Sequence, residues 1–367
     1  MYTFTYDLKS YLEEGIKKEK IRELINTHRS IEWPRLQKNM DYYEGKHAIL
    51  ARERIKGNAP NQKPVCNHAK DIADTATGFF MGAPISYTLT DQEVELDALT
   101  DALDIAGADD VDSDNGLDMS RCGVAYEYLY VANNKTDMRL KNLEATNTFI
   151  VCDDTIEQNP LFGVYYYVIT DSSSGKTKFK ATVVTDTLVY NLTIYDIQGM
   201  QPMTEKPQDH FFGGIPIIEY RNGKDGIGDY EQQIGLIDAY NTLMADRVND
   251  KQQFIDAILV IYGTILGDDE EETSKAMKVL KEDKLLELQE GAKAEYLTRT
   301  FDEAGVEVLR KAIKEDIYTF SHVPNLTDEN FVGNSSGVAM EYKLIGLLKL
   351  ISTKQKYYRK GLRKRFE

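Results

Sequence analysis

The feature that most constrains this chain is a series of long amphipathic patterns separated by short irregular segments. Gly228–Leu259 and Thr300–Phe320 each place apolar residues at the spacing of a helix that buries one face. The insertion between them is acidic and is predicted to hold a short helix with strand-like ends. A polar stretch, His322–Gly337, follows, and a third helical pattern begins at about Val338. The sequence therefore predicts helix, insertion, helix, loop and helix in that order.

The first 227 residues combine helical and strand patterns. Asn67–Gly82 predicts a helix, because Gly82 and the following Pro84 supply a C-terminal stop. Ile85–Leu89 alternates as a strand does. Further strands are predicted by three segments rich in aromatic and β-branched residues, Gly123–Val131, Gly163–Thr170 and Lys176–Tyr195. These patterns together predict an α+β fold with a mostly β middle.

Composition narrows the classes of function. The formal net charge of −16 argues against tight, passive binding to nucleic acid, because such binding depends on Lys and Arg that displace counterions. No apolar run approaches the roughly 20 residues that cross a bilayer, and the N-terminus lacks a signal-peptide pattern. Cys66, Cys122 and Cys152 lie far apart, which predicts reduced, structural thiols. We therefore expect a protein made in a cytosol, with no membrane partner.

Two acidic segments could suggest a metal site. Asp109–Asp118 resembles a calcium loop, but placing Gly116 at the sixth position leaves Cys122 where a bidentate Glu belongs. We therefore expect a solvated acidic loop there. The second segment lacks histidine or spaced carboxylate partners, so it predicts an exposed surface that could meet a basic partner. Its residues are Asp268, Asp269, Glu270, Glu271 and Glu272.

Motifs of catalysis and of cofactor binding are missing from the sequence. The five histidines are scattered, and neither HExxH nor GxSxG occurs. No phosphate-binding GxxxxGK[ST] occurs, and the glycines at Gly223, Gly226 and Gly228 lead into acidic residues. We therefore expect no enzyme activity, no metal and no cofactor.

A basic cluster marks the last helical pattern, in a chain otherwise dominated by acidic residues. Tyr357, Tyr358 and Phe366 are interleaved with seven cations. The cations are Lys354, Lys356, Arg359, Lys360, Arg363, Lys364 and Arg365. One interpretation is a solvated helix face that offsets acidic neighbours, and the other is a surface that meets phosphate or an acidic partner. The sequence alone does not separate them.

Several segments in a common order resemble the portal proteins of tailed bacteriophages, in the branch typical of long-tailed siphophages. The segments are Tyr42–Ile49, Asn67–Tyr87, Gly123–Tyr130, Gly214–Gly223, Asp229–Asp250 and Ser335–Leu347. The resemblance implies a subunit of a closed, usually dodecameric ring with a wing, stem, clip, tunnel loop and crown. It assigns 1–227 to the wing, 228–259 to a stem helix, 260–299 to the clip, 300–320 to a second stem helix, 321–336 to the tunnel loop and 337–367 to a long helix leading towards a crown that this chain lacks.

The resemblance also implies a function without catalysis. A portal nucleates the procapsid, passes double-stranded DNA during packaging and ejection, and joins head to tail. The implied partners are further copies of the chain, double-stranded DNA, the terminase large subunit ATPase, the major capsid and scaffolding proteins, and head-completion or adaptor proteins. The implied location is the portal vertex of the virion, after assembly in the bacterial host cytoplasm.

The resemblance places His322–Ser336 beside the DNA in the channel. The residues expected to face DNA are His322, Asn325, Asp328, Glu329, Asn330, Asn334 and Ser335. The same correspondence makes the acidic segment at Asp268–Glu272 a partner surface of the clip. Two alternatives stay open: another structural component of the capsid or connector, and an enzyme that processes nucleic acid.

Overall fold

The computed structural model describes residues 2–53, 60–88, 96–132, 136–170, 177–195, 207–255, 258–262, 270–282, 293–297, 303–326 and 337–367. Within these residues helices and strands are mixed, which confirms the expected α+β class. The chain divides into two compact units. The body unit comprises 1–47, 66–237 and 315–367, and the second unit comprises 48–65 and 238–314.

The secondary structure follows the predicted order closely. The described helices are α1 (Leu8–Glu14), α2 (Lys18–Tyr43), α3 (His68–Met81), α4 (Asp97–Ala106), α5 (Ala108–Cys122), α6 (Ile234–Ile255), α7 (Glu270–Glu282), α8 (Glu303–Ser321) and α9 (Gly337–Phe366). The described strands are β1 (Phe4–Tyr6), β2 (Val124–Val131), β3 (Met138–Leu143), β4 (Thr148–Asp153), β5 (Pro160–Thr170), β6 (Thr177–Val184), β7 (Leu188–Tyr195), β8 (Gln208–Asp209), β9 (Ile217–Arg221), β10 (Ile258–Tyr262) and β11 (Lys293–Leu297). In this part of the chain, no helix is both long and apolar enough to cross a lipid bilayer.

The larger sheet of the body unit has the strand order β1-β4-β5-β6-β7-β8. β1 pairs with β4 in parallel, and the other pairs are antiparallel. Along β5 the side chains of Phe162, Val164 and Tyr166 alternate into the core. Helix α2 covers this face with Ile21 and Ile25. The predicted strands in Gly163–Thr170 and Lys176–Tyr195 are therefore confirmed in this sheet as β5, β6 and β7, whereas Gly123–Val131 supplies β2 of a second sheet.

The smaller sheet of the body unit has the order β3-β2-β9, with both pairs antiparallel. Helix α9 packs directly on β9 at Gly361, where an added Cβ would lie 2.3 Å from the Tyr220 ring. The ring of Tyr358 stacks on the same tyrosine, with centroids 4.5 Å apart. A glycine inside a helix costs about 1 kcal/mol relative to alanine, and here it allows the close approach.

Two expectations about element boundaries need correction. Of the strand expected over Ile85–Leu89, the described residues Ile85–Thr88 form no strand, and the Tyr87 ring packs 5.5 Å from that of Phe366. The helix expected over Gly228–Leu259 ends at Ile255, and Ile258–Tyr262 forms a strand. That strand pairs with β11, so the predicted strand-like ends of the insertion are confirmed.

The second unit contains most of α6 and α8, together with the β10-β11 pair and α7. Arg247 of α6 forms an ion pair with Glu307 of α8 at 2.9 Å. Arg310 of α8 donates to the hydroxyl of Tyr240 at 3.0 Å and to Glu307. These contacts connect the two helices that flank the insertion.

A buried histidine lies in the core of the larger sheet. The His28 side chain stacks on Phe149 with centroids 4.9 Å apart, and its Nδ1 lies 2.8 Å from the Tyr166 hydroxyl. Burial, assisted by the neighbouring charge of Arg29, lowers the pKa of His28 to about 4. The folded chain therefore holds this imidazole neutral at pH values where an exposed imidazole is charged.

We predict that His28 makes the body unit acid-sensitive. Its pKa is lower in the folded chain than in the unfolded chain, so between about pH 6.5 and 4 only the unfolded chain gains the proton. The free energy of unfolding should fall by up to about 3 kcal/mol over this range, and the contribution should be complete above pH 6.5. Urea unfolding at a series of pH values measures this. His28→Phe/Tyr166→Phe should flatten the profile, whereas Tyr166→Phe alone should retain it.

Candidate functional site

The start of the long polar loop is fixed to the end of α8. Ser321 Oγ donates to the carbonyl of Tyr318 at 3.1 Å and accepts from the amide of Val323 at 3.4 Å. His322 adopts a φ of 60°, in the left-handed region that reverses the chain after a helix. Such a conformation costs a non-glycine residue of order 1 kcal/mol, and the burial of Val323 holds it in place. The loop therefore starts in a defined direction.

Helix α3 supplies a second anchor for this loop base. The Tyr318 hydroxyl donates to Asp71 at 2.6 Å and lies 3.2 Å from Nδ1 of His68. The two rings meet edge to face, with centroids 5.7 Å apart. On the other side, Gly346 of α9 approaches the backbone of His322. The loop base, defined by residues 318–323, therefore contacts α3 and α9.

The sequence-predicted site residues are only partly described. His322 is exposed and Asn325 is half-buried. Glu270, Glu271 and Glu272 open α7 and are exposed, where carboxylates suit the positive end of a helix dipole. The predicted residues that lie outside the described part of the chain are Asp268, Asp269, Asp328, Glu329, Asn330, Asn334 and Ser335.

The expected solvated acidic loop at Asp109–Asp118 is wrong. These residues belong to α5, whose inner face buries Asp112, Asn115 and Asp118. Asp118 pairs with Arg121 at 2.7 Å and accepts from Asn142. Asp112, Asn115 and Asp118 recur at the spacing of one helix face. Their burial is favourable because they have hydrogen-bonding partners on other elements. Among the described residues, no group of three or more His, Cys, Asp or Glu side chains could hold a metal ion.

The expected basic surface is wrong for two of its seven residues. Lys354 and Arg365 have fully buried side chains, because they share the inner face of α9 with Tyr358 and Gly361. Lys354 donates to Asp229 and, at 2.6 Å, to Ser120 Oγ. The five predicted cations that remain exposed are Lys356, Arg359, Lys360, Arg363 and Lys364.

Arg365 completes a buried network that joins α9 to α5 and β2. Its guanidinium donates to Asp112 at 2.5 Å and, through Nε, to Glu127 at 2.8 Å. Tyr358 donates to Asp112 at 2.5 Å, and Asn115 donates to Glu127 at 3.0 Å. Burial raises the pKa of Glu127, and the hydrogen bonds from Arg365 oppose that rise. Each charge has several partners, as charges buried in a folded protein require.

Sequence reasoning missed the acidic side of this network. Asp112, Glu127 and Asp229 come from three distant parts of the chain, and no local pattern connects them to α9. The only available signal was the spacing of Lys354, Tyr358 and Arg365, which places three polar groups on one helix face.

Burial lowers the pKa of Lys354, and the charge of Asp229 opposes this lowering.

We predict that Lys354→Met and Lys356→Met have very different effects. Removing the Lys354 ammonium leaves Asp229 buried without its cation, so the free energy of unfolding should fall by about 3–5 kcal/mol. Lys356 is exposed, and its substitution should change stability by no more than about 0.5 kcal/mol. Denaturant unfolding of the two variants measures this. Equal losses would contradict the importance of the buried pair, and Lys354→Met/Asp229→Asn should recover part of the loss.

Comparison with known proteins shows which family this chain is similar to. A family model described as phage portal protein, SPP1 Gp6-like, matches residues 22–367. The portal protein of Bacillus phage SPP1 is 23% identical over 394 aligned positions, which cover 98% of this chain and 75% of that protein. A solved structure described as the neck of an empty GTA particle computed with C6 symmetry covers 77% of this chain and 78% of its own, with a TM-score of 0.45 and 11% identity. That structural similarity is too low to carry an argument.

Proposed function

The chain belongs to the SPP1 Gp6-like family of phage portal proteins, and from this we propose that it is one subunit of a closed ring, dodecameric as portals usually are. The observation that carries the proposal is the family match, which runs from residue 22 to residue 367. As a portal protein, the chain is a structural component of the phage capsid. The ring would pass double-stranded DNA, nucleate the procapsid and join head to tail.

The order of elements supports different structural roles for successive parts of the chain. We assign residues 1–227 to the wing, 260–299 to the clip and 321–336 to the tunnel loop. The stem helices would be 228–259, within which α6 lies, and 300–320, which α8 extends by one residue. Residues 337–367, with α9, would lead towards the crown.

The charge of the loop suits a passage for sliding DNA. His322–Gly337 contains no Lys or Arg, so it offers no fixed positive charge to phosphates. Each phosphate contact made by a cation strengthens binding and would slow translocation. The amides and hydroxyls of Asn325, Asn330, Asn334 and Ser335 can instead form weak, exchangeable hydrogen bonds. Such contacts would guide the duplex without holding it.

The anchored base supports the same role. Tyr318 is bonded to Asp71, and Val323 is buried, so force from moving DNA would be transmitted to α3 and the body unit. Asp328 and Glu329 add two negative charges beyond this base. They would weaken the attraction between the loop and the phosphate backbone, so that the hydrogen bonds to the duplex stay exchangeable.

We further propose that the subunit performs no catalysis. The energy for DNA movement would come from the terminase large subunit ATPase, and the portal would serve as conduit and docking platform. Major capsid and scaffolding proteins would surround the ring during assembly in the host cytoplasm, and head-completion or adaptor proteins would follow packaging. ATPase and nuclease assays with divalent metal test the alternative of a nucleic-acid-processing enzyme, because turnover by the pure ring would contradict our proposal.

We predict that the loop is needed for DNA passage and not for the ring. Replacing residues 327–334 by two glycines should leave rings with the same subunit number and an open centre, while nuclease-protected DNA in filled capsids falls at least tenfold. Electron microscopy with light scattering measures the ring, and an in vitro packaging reaction measures the DNA. Normal packaging by this variant would overturn the loop's role.

A charge variant separates loop chemistry from loop length. Asn330→Lys/Asn334→Lys/Ser335→Lys adds three phosphate-binding cations and should slow packaging, with the greatest effect at low salt. The matched control is Asn330→Gln/Asn334→Gln/Ser335→Thr, which keeps the loop neutral and should package as the parent does.

We predict that the acidic start of α7 binds a basic surface of a packaging or adaptor partner. Glu270→Lys/Glu271→Lys/Glu272→Lys should weaken binding of the purified terminase large subunit or adaptor at least tenfold, mostly through a slower association rate. Biolayer interferometry measures both rates. The control, Glu13→Lys/Glu14→Lys/Glu157→Lys, makes the same change in net charge at exposed positions of the body unit. Unchanged binding by the α7 variant would refute this assignment.

A further inference from the structure

The outer face of α9 is a long basic stripe. It lies opposite the inner face of Lys354, Tyr358 and Arg365, and residues 349–366 contain no acidic side chain. Its exposed cations are Lys349, Lys356, Arg359, Lys360, Arg363 and Lys364. Just before them on the same outer face lie the exposed side chains of Tyr342 and Ile345. The basic stripe, defined by these six cations, therefore continues into an apolar patch.

The outer face of α4 and α5 has the opposite charge. No Lys, Arg or His occurs between Asp97 and Ser120. The exposed carboxylates of this acidic face are Asp97, Asp101, Asp104, Asp109, Asp110 and Asp114. Ile105 is exposed beside the carboxylates of α4. The acidic face, defined by these six carboxylates, therefore also combines charge with an exposed apolar side chain.

Neither face is neutralised within the described part of the subunit. None of the twelve charged side chains forms an ion pair within 4.0 Å there, in contrast to the buried partners of Lys354 and Arg365. The cation of Arg139 approaches α4, but it donates to the backbone carbonyl of Ile105 at 2.7 Å. One chain thus presents two faces whose formal charges are equal in size and opposite in sign.

Complementary faces at two different places on one chain favour a head-to-tail contact between copies. A two-fold contact of either face with itself would bring like charges together, which is unfavourable. A contact between different faces leaves one free face on each copy, so it can continue from copy to copy and close into a ring. The charge complementarity therefore fits the symmetry of a ring.

Contact of the basic stripe with DNA is the competing explanation. Six cations along one helix would bind phosphates tightly at every subunit of a ring, which would oppose sliding. A neighbour's acidic face would neutralise the same cations at no cost to translocation. The exposed apolar side chains on both faces also suit a protein partner better than a phosphate backbone.

We propose that the basic stripe of α9 on one subunit docks on the acidic face of α4 and α5 on the next subunit. This contact rests on the proposed ring and names the surfaces that close it. Side chains such as Ile345 on one copy and Ile105 on the next would lose solvent exposure when the charges pair. Because exposed ion pairs are screened by salt, ring formation should weaken as ionic strength rises.

Charge reversal on each side tests the contact. The stripe variant is Lys356→Glu/Arg359→Glu/Arg363→Glu, and the acidic-face variant is Asp101→Lys/Asp104→Lys/Asp114→Lys. Each triple change brings the net charge of its face to zero and sets three like charges against the native partner face, so we expect the fraction of subunits in rings to fall at least tenfold. Electron microscopy and native mass spectrometry measure that fraction, and circular dichroism checks folding.

Mixing the two variants gives the decisive measurement. A contact between unlike variants joins either the two native faces, which carry opposite charges, or the two altered faces, which are each neutral overall and no longer oppose a face of like net charge. The 1:1 mixture should therefore form rings that contain equal numbers of both chains. The controls Lys9→Glu/Lys141→Glu/Lys180→Glu and Glu13→Lys/Glu14→Lys/Glu157→Lys carry the same charge changes elsewhere and should assemble as the parent does.

The possible outcomes separate this contact from the ring proposal. Normal assembly of both variants, or loss that mixing does not restore, overturns the contact while parent rings leave the portal proposal intact. Normal rings of the stripe variant with reduced DNA retention would assign the stripe to phosphate and also overturn the contact. If the parent forms no ring, the ring proposal fails, and pairing in the mixed variants decides the contact alone: a 1:1 complex supports it and its absence refutes it.

Discussion

Two buried cations on α9 set the arrangement of the body unit. A lysine ammonium and an arginine guanidinium are stable in a protein interior only when hydrogen-bonded carboxylates surround them. Lys354 meets Asp229, and Arg365 meets Asp112 and Glu127. A helix turns about 100° per residue, so a slip of one residue would remove both cations from their partners. These pairs therefore fix both the height and the rotation of α9.

The position of α9 in turn determines the two surfaces with proposed functions. Gly346, near the start of the helix, approaches the loop base at His322. Farther along, the orientation that buries Lys354 and Arg365 turns the basic stripe outwards. Two buried side chains thus decide how α9 lies against the loop base and which of its side chains a neighbour would meet.

Local features of the fold could be predicted from sequence, and long-range charge pairing could not. The helix at α3 follows from its Asn67 cap, whose side chain accepts from the amide of Lys70, and the strands follow from aromatic and β-branched alternation. The burial of Asp112 depends on Arg365, more than two hundred residues later, so no window of sequence around Asp112 reveals it. The loop was recognisable by its length and polarity, whereas its anchor, Tyr318 on Asp71, joins residues that no periodic pattern connects.

The discontinuity of the body unit has a consequence for synthesis. Residues 315–367 belong to the same compact unit as residues 1–47 and 66–237, so the ribosome completes this unit only after it has made the second unit. Until Arg365 has emerged, Asp112 and Glu127 lack the cation that makes their burial favourable. The nascent chain therefore cannot finish the core of its body unit before α9 has emerged, and α9 carries the basic stripe out at the same stage. Folding of the body unit and exposure of the proposed docking surface are therefore timed together by the order of translation.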